Sequence, residues 1–186
     1  MTAAIVIVIL VVIVALAAMW MFNGMIRSRN LCDNAWSQID VQLKRRHDLI
    51  PNLVETVKGY AAHERSTLNS VILARMRAVD AGQNGSVPQR AAAENVLTGA
   101  LQNLFALSEA YPDLKANKNF LALQEELTST EDRIAFSRQF YNDAVQRYNT
   151  MIQAAPRNMI AGRMHFVARE FFIVTAAEQA PVTVKF

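Results

Sequence analysis

The 186-residue chain has one cysteine, Cys32, and three histidines. A single thiol excludes an internal disulfide framework, and the plain reading of Cys32 is a small buried side chain. The histidines exclude the common metal chemistries. His63-Glu64 is followed at the HExxH position by Thr67 rather than a second histidine. A di-iron bundle needs a Glu three residues before a His on two helices; here those places hold Lys44, Tyr60 and Gly162. No glycine-rich phosphate loop is present. No basic stripe with interleaved aromatics marks a nucleic-acid surface. The residues therefore nominate no catalytic group, metal ligand or cofactor, and the chain reads as a non-enzyme that does not bind nucleic acid.

The longest absence is of charge. From Ala3 to Phe22 there is no charged residue, proline, glycine or amide. Twenty residues at a helical rise of about 1.5 Å cover roughly 30 Å, the thickness of a bilayer's hydrocarbon core. Ile5–Val14 consists of Ile, Val and Leu alone, which in water suggests a strand. The run is too long for a strand without a turn, and a lone strand in lipid leaves its backbone groups unpaired, so a transmembrane helix over 3–22 is the expectation. Ala15-Leu16-Ala17 has the form of a signal-peptide cleavage site, but the apolar run continues through it and no Lys or Arg precedes it, which favours an uncleaved anchor. Arg27 and Arg29 follow the span, then Lys44, Arg45 and Arg46. Basic flanks stay cytoplasmic. The reading is single-pass in the bacterial inner (plasma) membrane, N-terminus outside, residues 23–186 inside. Trp20, Phe22, Arg27 and Arg29 are the expected membrane-interface residues.

The charge is unevenly spread. Residues 23–80 carry nine basic and six acidic groups, 81–156 six and eight, and 157–186 four and two. The basic excess nearest the span and in the tail is ordinary solvated charge or an attraction to anionic headgroups.

Beyond the anchor, proline is absent until Pro51. The membrane helix is expected to run on through Leu31, Ala35, Ile39 and Leu43, with Gly24 either a joint or a glycine tolerated in a membrane helix. At His47–Pro51 the helix either kinks or ends, Asp48 capping a second helix that runs to about Val79 with Leu53, Val57, Tyr60, Leu68 and Val71 inward. Gly82–Gly85 reads as a turn, and Ser86 with Gln89 as a capping box for a third helix carrying Leu97, Leu101, Leu104 and Ser108. A polar connection over 113–119 follows. Phe120, Leu123, Leu127, Ile134, Tyr141, Val145, Tyr148 and Ile152 then mark the seam of a helix of about thirty-five residues, stopped at Ala155-Pro156. Long helices with one apolar stripe each must bury those stripes together. The fold class is all-α, an N-terminal transmembrane helix followed by an antiparallel long-helix bundle over 23–156.

Residues 157–186 form a distinct amphipathic tail. It reads as a short helix docked on the bundle, a membrane-surface segment or a subunit contact, with Arg163, Phe166, Arg169, Phe171 and Phe172 as the candidate contact residues. Residues 181–186 alternate apolar and polar, as an added edge strand would. Glu125-Glu126 and Glu131-Asp132 read as solvated helix surface. Asn34, Asn52, Asn95 and Asn103 lie on or beside apolar stripes, where a buried asparagine fixes register.

Several stretches resemble the bacterial LemA family: Ala35–Arg46, Asp48–Tyr60, Ala110–Asn117, Asn119-Phe120, Leu123–Leu127, Arg133–Ala135, Phe140–Val145 and Tyr148-Asn149. The likeness runs from the anchor to about residue 162. The tail departs: Phe171-Phe172 are followed by Ile173-Val174-Thr175, where the family has acidic residues. The resemblance implies an N-terminal membrane anchor, a cytoplasmic helical bundle and no established enzyme activity. A magnetosome-associated relative points to membrane organisation, and members often sit beside membrane metalloproteases. Two expectations follow. One is a self-assembling, membrane-anchored scaffold that binds membrane lipids, forms a homo-oligomer and organises or remodels the membrane. The other is an adaptor or accessory subunit of a membrane enzyme such as a metalloprotease.

Overall fold

The computed structural model describes residues 1–173, and among these the secondary structure is all helix: α1 (Thr2–Lys58), α2 (Arg65–Asn84), α3 (Val87–Ser108), α4 (Pro112–Lys115), α5 (Lys118–Gln153) and α6 (Arg157–Arg163). The protein is an all-α helical bundle with a long N-terminal apolar helix, as the spacing of its apolar residues requires. Its described residues fall into two compact units. One comprises residues 1–38 and 139–170, the other residues 39–138 with 171–173.

The second unit holds the main core. The 39–58 part of α1 supplies Ile50, Leu53, Val54 and Val57. From α2 come Leu68, Val71, Ala74 and Ala78, from α3 Leu97, Leu101 and Leu104, from α4 Leu114, and from α5 Phe120 and Leu127. Each set recurs at helical spacing, so each helix turns one stripe inward. Phe105 and Phe120 meet edge to face at 6.4 Å. Between α2 and α3 only Gly85 and Ser86 intervene; the Ser86 amide donates to Gln89 Oε1 at 2.8 Å, the expected capping box.

The first unit pairs α1 with the C-terminal part of α5 and the chain beyond it. Met25, Cys32 and Ala35 are buried, as are Tyr141, Val145, Tyr148 and Ile152 from the predicted seam. Trp36 packs on Tyr141 with ring centres 5.1 Å apart. Past α6 a turn at Met164-His165 leads into chain without regular secondary structure, whose backbone needs other partners. Three α5 side chains supply them. Tyr141 donates to the Glu170 carbonyl at 2.9 Å and Tyr148 to the Val167 carbonyl at 3.0 Å. Asn149 both donates to the Arg169 carbonyl and accepts from the Arg169 amide, each at 2.9 Å.

Several sequence expectations are corrected. The first helix does not end at Pro51: it continues to Lys58, and the break before α2 falls at 59–64. Pro51 has no amide to offer the carbonyl of His47, and Arg75 Nε of α2 donates to that carbonyl at 2.7 Å instead. Tyr60 is not on an inner stripe; it is 43% exposed in the 59–64 break, and its hydroxyl accepts from Asn117 Nδ2 at 2.8 Å. Gly82–Asn84 belong to the last turn of α2, and the connection over 113–119 contains α4. Asn34, Asn52 and Asn103 are exposed and Asn95 is half-buried, so the buried polar positions lie elsewhere. The tail does open with a short helix, α6; the suggested strand over 181–186 lies outside the described residues.

Candidate functional site

Two constellations stand out, one in each unit. The first grows from the apolar stripes themselves. On α1 the buried positions Ala35, Ile39, Leu43, Ile50, Leu53 and Val57 leave one slot between Leu43 and Ile50, and Arg46 fills it. On α3 the stripe Ala91, Leu97, Leu101, Leu104 is joined by Glu94. Both charged side chains are wholly buried.

They pair directly, Arg46 Nη2 to Glu94 Oε2. Arg46 Nη1 also donates to Glu131 Oε1 at 2.5 Å and to Thr98 Oγ1 at 3.0 Å. Thr98 in turn donates to the Glu94 carbonyl at 3.2 Å, and His47 Nε2 lies 3.1 Å from Glu94 Oε1. Burial opposes ionisation of Glu94, but the His47 hydrogen bond and the Arg46 charge outweigh it, and its pKa lies below the usual carboxylate value. Glu131, its side chain 34% exposed, is thus both part of the surface and the α5 arm of the cluster, and Glu126 pairs with Arg45. A cleft of about 200 Å³ between Thr98, Leu101, Phe105, Leu127 and Glu131 lies alongside.

Chemically this is a clamp. The guanidinium has no solvent-exposed face, and its partners come from α1, α3 and α5. Within the cluster no serine, cysteine or lysine stands as a nucleophile. Among the described residues no three His, Cys, Asp or Glu side chains gather as a metal site requires. The sequence signal was present: one cation and one anion, each at a stripe position on its own helix.

The second constellation surrounds the end of the apolar run. Trp20 is 69% exposed, and the Arg157 guanidinium lies 5.6 Å over its ring. Phe22 meets Phe166 edge to face at 5.7 Å, and Arg29 lies 5.7 Å over the other aromatic, Phe166. Arg27 and Arg163 are exposed. Arg169 is half-buried and pairs with Asp33 at 2.7 Å. Burial raises the pKa of the Cys32 thiol, against the opposing charge of Arg169. Burial also pushes the Tyr141 phenol up to about 12, again partly opposed by Arg169. In the other unit Phe172 is buried with Arg138 5.0 Å over its ring, and Phe171 is 37% exposed.

Comparison with known proteins gives a consistent result. The model of the LemA family matches residues 35–186. Protein LemA of Metamycoplasma hominis is 27% identical over 162 residues, covering 86% of this chain and 72% of that protein. Magnetosome protein MamQ 2 of Paramagnetospirillum magneticum is 27% identical over 169 residues, covering 78% of this chain and 62% of that protein. Magnetosome protein MamQ of Magnetospirillum gryphiswaldense matches to the same extent. The chain thus spans less than two thirds of the MamQ proteins' length.

Proposed function

The chain belongs to the LemA family, and on that premise we propose that it is a non-enzymatic, single-pass scaffold that self-assembles and organises or remodels the bacterial inner membrane. One observation carries the reading. The exposed apolar run and the buried stripe 39–57 lie on one uninterrupted helix, with no loop between anchor and bundle. Ile5–Val14 are each at least half exposed and contact nothing that would bury them in water, so lipid is their natural environment.

The basic residues that follow the run support an N-terminus outside and a body inside. Self-assembly is supported by apolar side chains on the outside of the bundle: Leu73 and Met76 on α2, Val96 on α3 and Phe136 on α5 are all more than half exposed. The magnetosome names of two relatives suit a role in membrane organisation. The test is the mass of the full-length protein in native-membrane nanodiscs, beside a form lacking residues 1–22. A large uniform assembly is expected. A monomer in both forms would defeat the scaffold reading, and a membrane protease co-purifying with that monomer would make the chain an accessory subunit.

A further inference from the structure

We infer that Arg157–Val167 forms a second membrane contact, lying on the anionic headgroup layer of the leaflet where the apolar part of α1 ends. The inference rests on the span of the proposed function but not on self-assembly. Its depth is set by two contacts within one unit. Arg157, the first residue of α6, sits over Trp20, and Phe166, three residues past α6, sits against Phe22. Trp20 and Phe22 close the apolar run, where aromatic side chains prefer the boundary between hydrocarbon and headgroups. A segment held to both residues lies at that level.

Its exposed side chains suit the level. Met159 is 75% exposed, Met164 54% and Val167 76%. In water these are apolar surfaces without a partner; at the boundary they enter the outer acyl region. From Arg157 to Val167 the ionisable residues are Arg157, Arg163 and His165, with no acidic group, and α1 adds Arg27 and Arg29 before its first acid at Asp33. A patch of one sign beside a span fits phosphate-bearing anionic lipid. A second copy is the poorer occupant, because a symmetric contact would set these arginines against one another.

The test uses full-length protein at one copy per nanodisc, so assembly plays no part. Nitroxide labels go at Met159→Cys, Val167→Cys and, as an aqueous control on α2, Met76→Cys, all with Cys32→Ala. In discs containing phosphatidylglycerol, labels at 159 and 167 are expected to collide severalfold more with oxygen than with a water-soluble nickel chelate, and the label at 76 the reverse. Phosphatidylcholine discs, or Arg157→Glu with Arg163→Glu, are expected to shift 159 and 167 towards the chelate. Hydroxyl-radical footprinting of the unmodified protein needs no folded variant; Met159 and Met164 should be severalfold less oxidised than Met76 in phosphatidylglycerol discs. Equal chelate access at all three sites, equal oxidation, or no response to lipid charge would overturn the inference. The scaffold proposal is tested separately by mass.

Discussion

A buried charge is the costliest side chain in a helical core unless it is paired and hydrogen-bonded. Arg46 has both forms of relief, through Glu94, Glu131 and Thr98. One guanidinium therefore joins three helices. Glu94→Ala leaves Arg46 with Glu131 and Thr98 but without its fully buried partner, and is expected to cost about 1.5–3 kcal/mol. Arg46→Met with Glu94→Leu removes both charges and is expected to recover most of that loss. Thermal unfolding of the full-length protein in detergent, followed by circular dichroism, reads the cycle; a double variant no better than Glu94→Ala would defeat the pairing account. The same carboxylate gives an acid limit. Its folded pKa lies below the unfolded value of 4.5. Its contribution is therefore present above that value and lost as pH falls through the folded pKa. Glu94→Gln is expected to flatten the fall in unfolding temperature below about pH 4.5.

At the scale of elements, α1 is the anomaly. Fifty-seven residues with an internal proline form one helix. A proline within a helix deprives one carbonyl of its donor, here that of His47, and Arg75 of α2 replaces the donor. Arg75→Ala is expected to cost about 1–3 kcal/mol by leaving that acceptor unsatisfied. In a Pro51→Ala background, where the missing N–H returns, the same change is expected to cost much less. Equal costs in both backgrounds would show that Arg75 acts through something other than the carbonyl. The irregular segment 166–170 follows the same logic: Tyr141, Tyr148 and Asn149 of α5 hydrogen-bond its backbone at Val167, Arg169 and Glu170.

For the whole molecule the question is which side of the membrane the bundle occupies. The proposal places it inside. Protease treatment of intact cells is then expected to leave residues 23–186 whole, and permeabilised cells to lose them. Removal of the body from intact cells would reverse the orientation and leave the family assignment untouched.

Periodicity alone determined much of this protein. The apolar run, the capping box at Ser86 and Gln89, and the Phe120–Ile152 seam each depend on residues close in sequence, and local spacing is where helical order is encoded. The family was legible separately, from contiguous stretches such as Asp48–Tyr60 and Ala110–Asn117 that resemble it. What only the tertiary structure decided involves partners distant along the chain. Pro51 interrupts the hydrogen bonding of any helix considered alone; Arg75 makes it tolerable, from a neighbouring helix. Arg46 and Glu94 each occupy a stripe position in the sequence, but their pairing exists only where the two stripes meet and close over them. The contact of α6 with the end of the apolar run brings Arg157 over Trp20 across more than 130 positions of sequence. Sequence spacing specifies which face a residue takes on its own helix, but not what the opposite helix offers it.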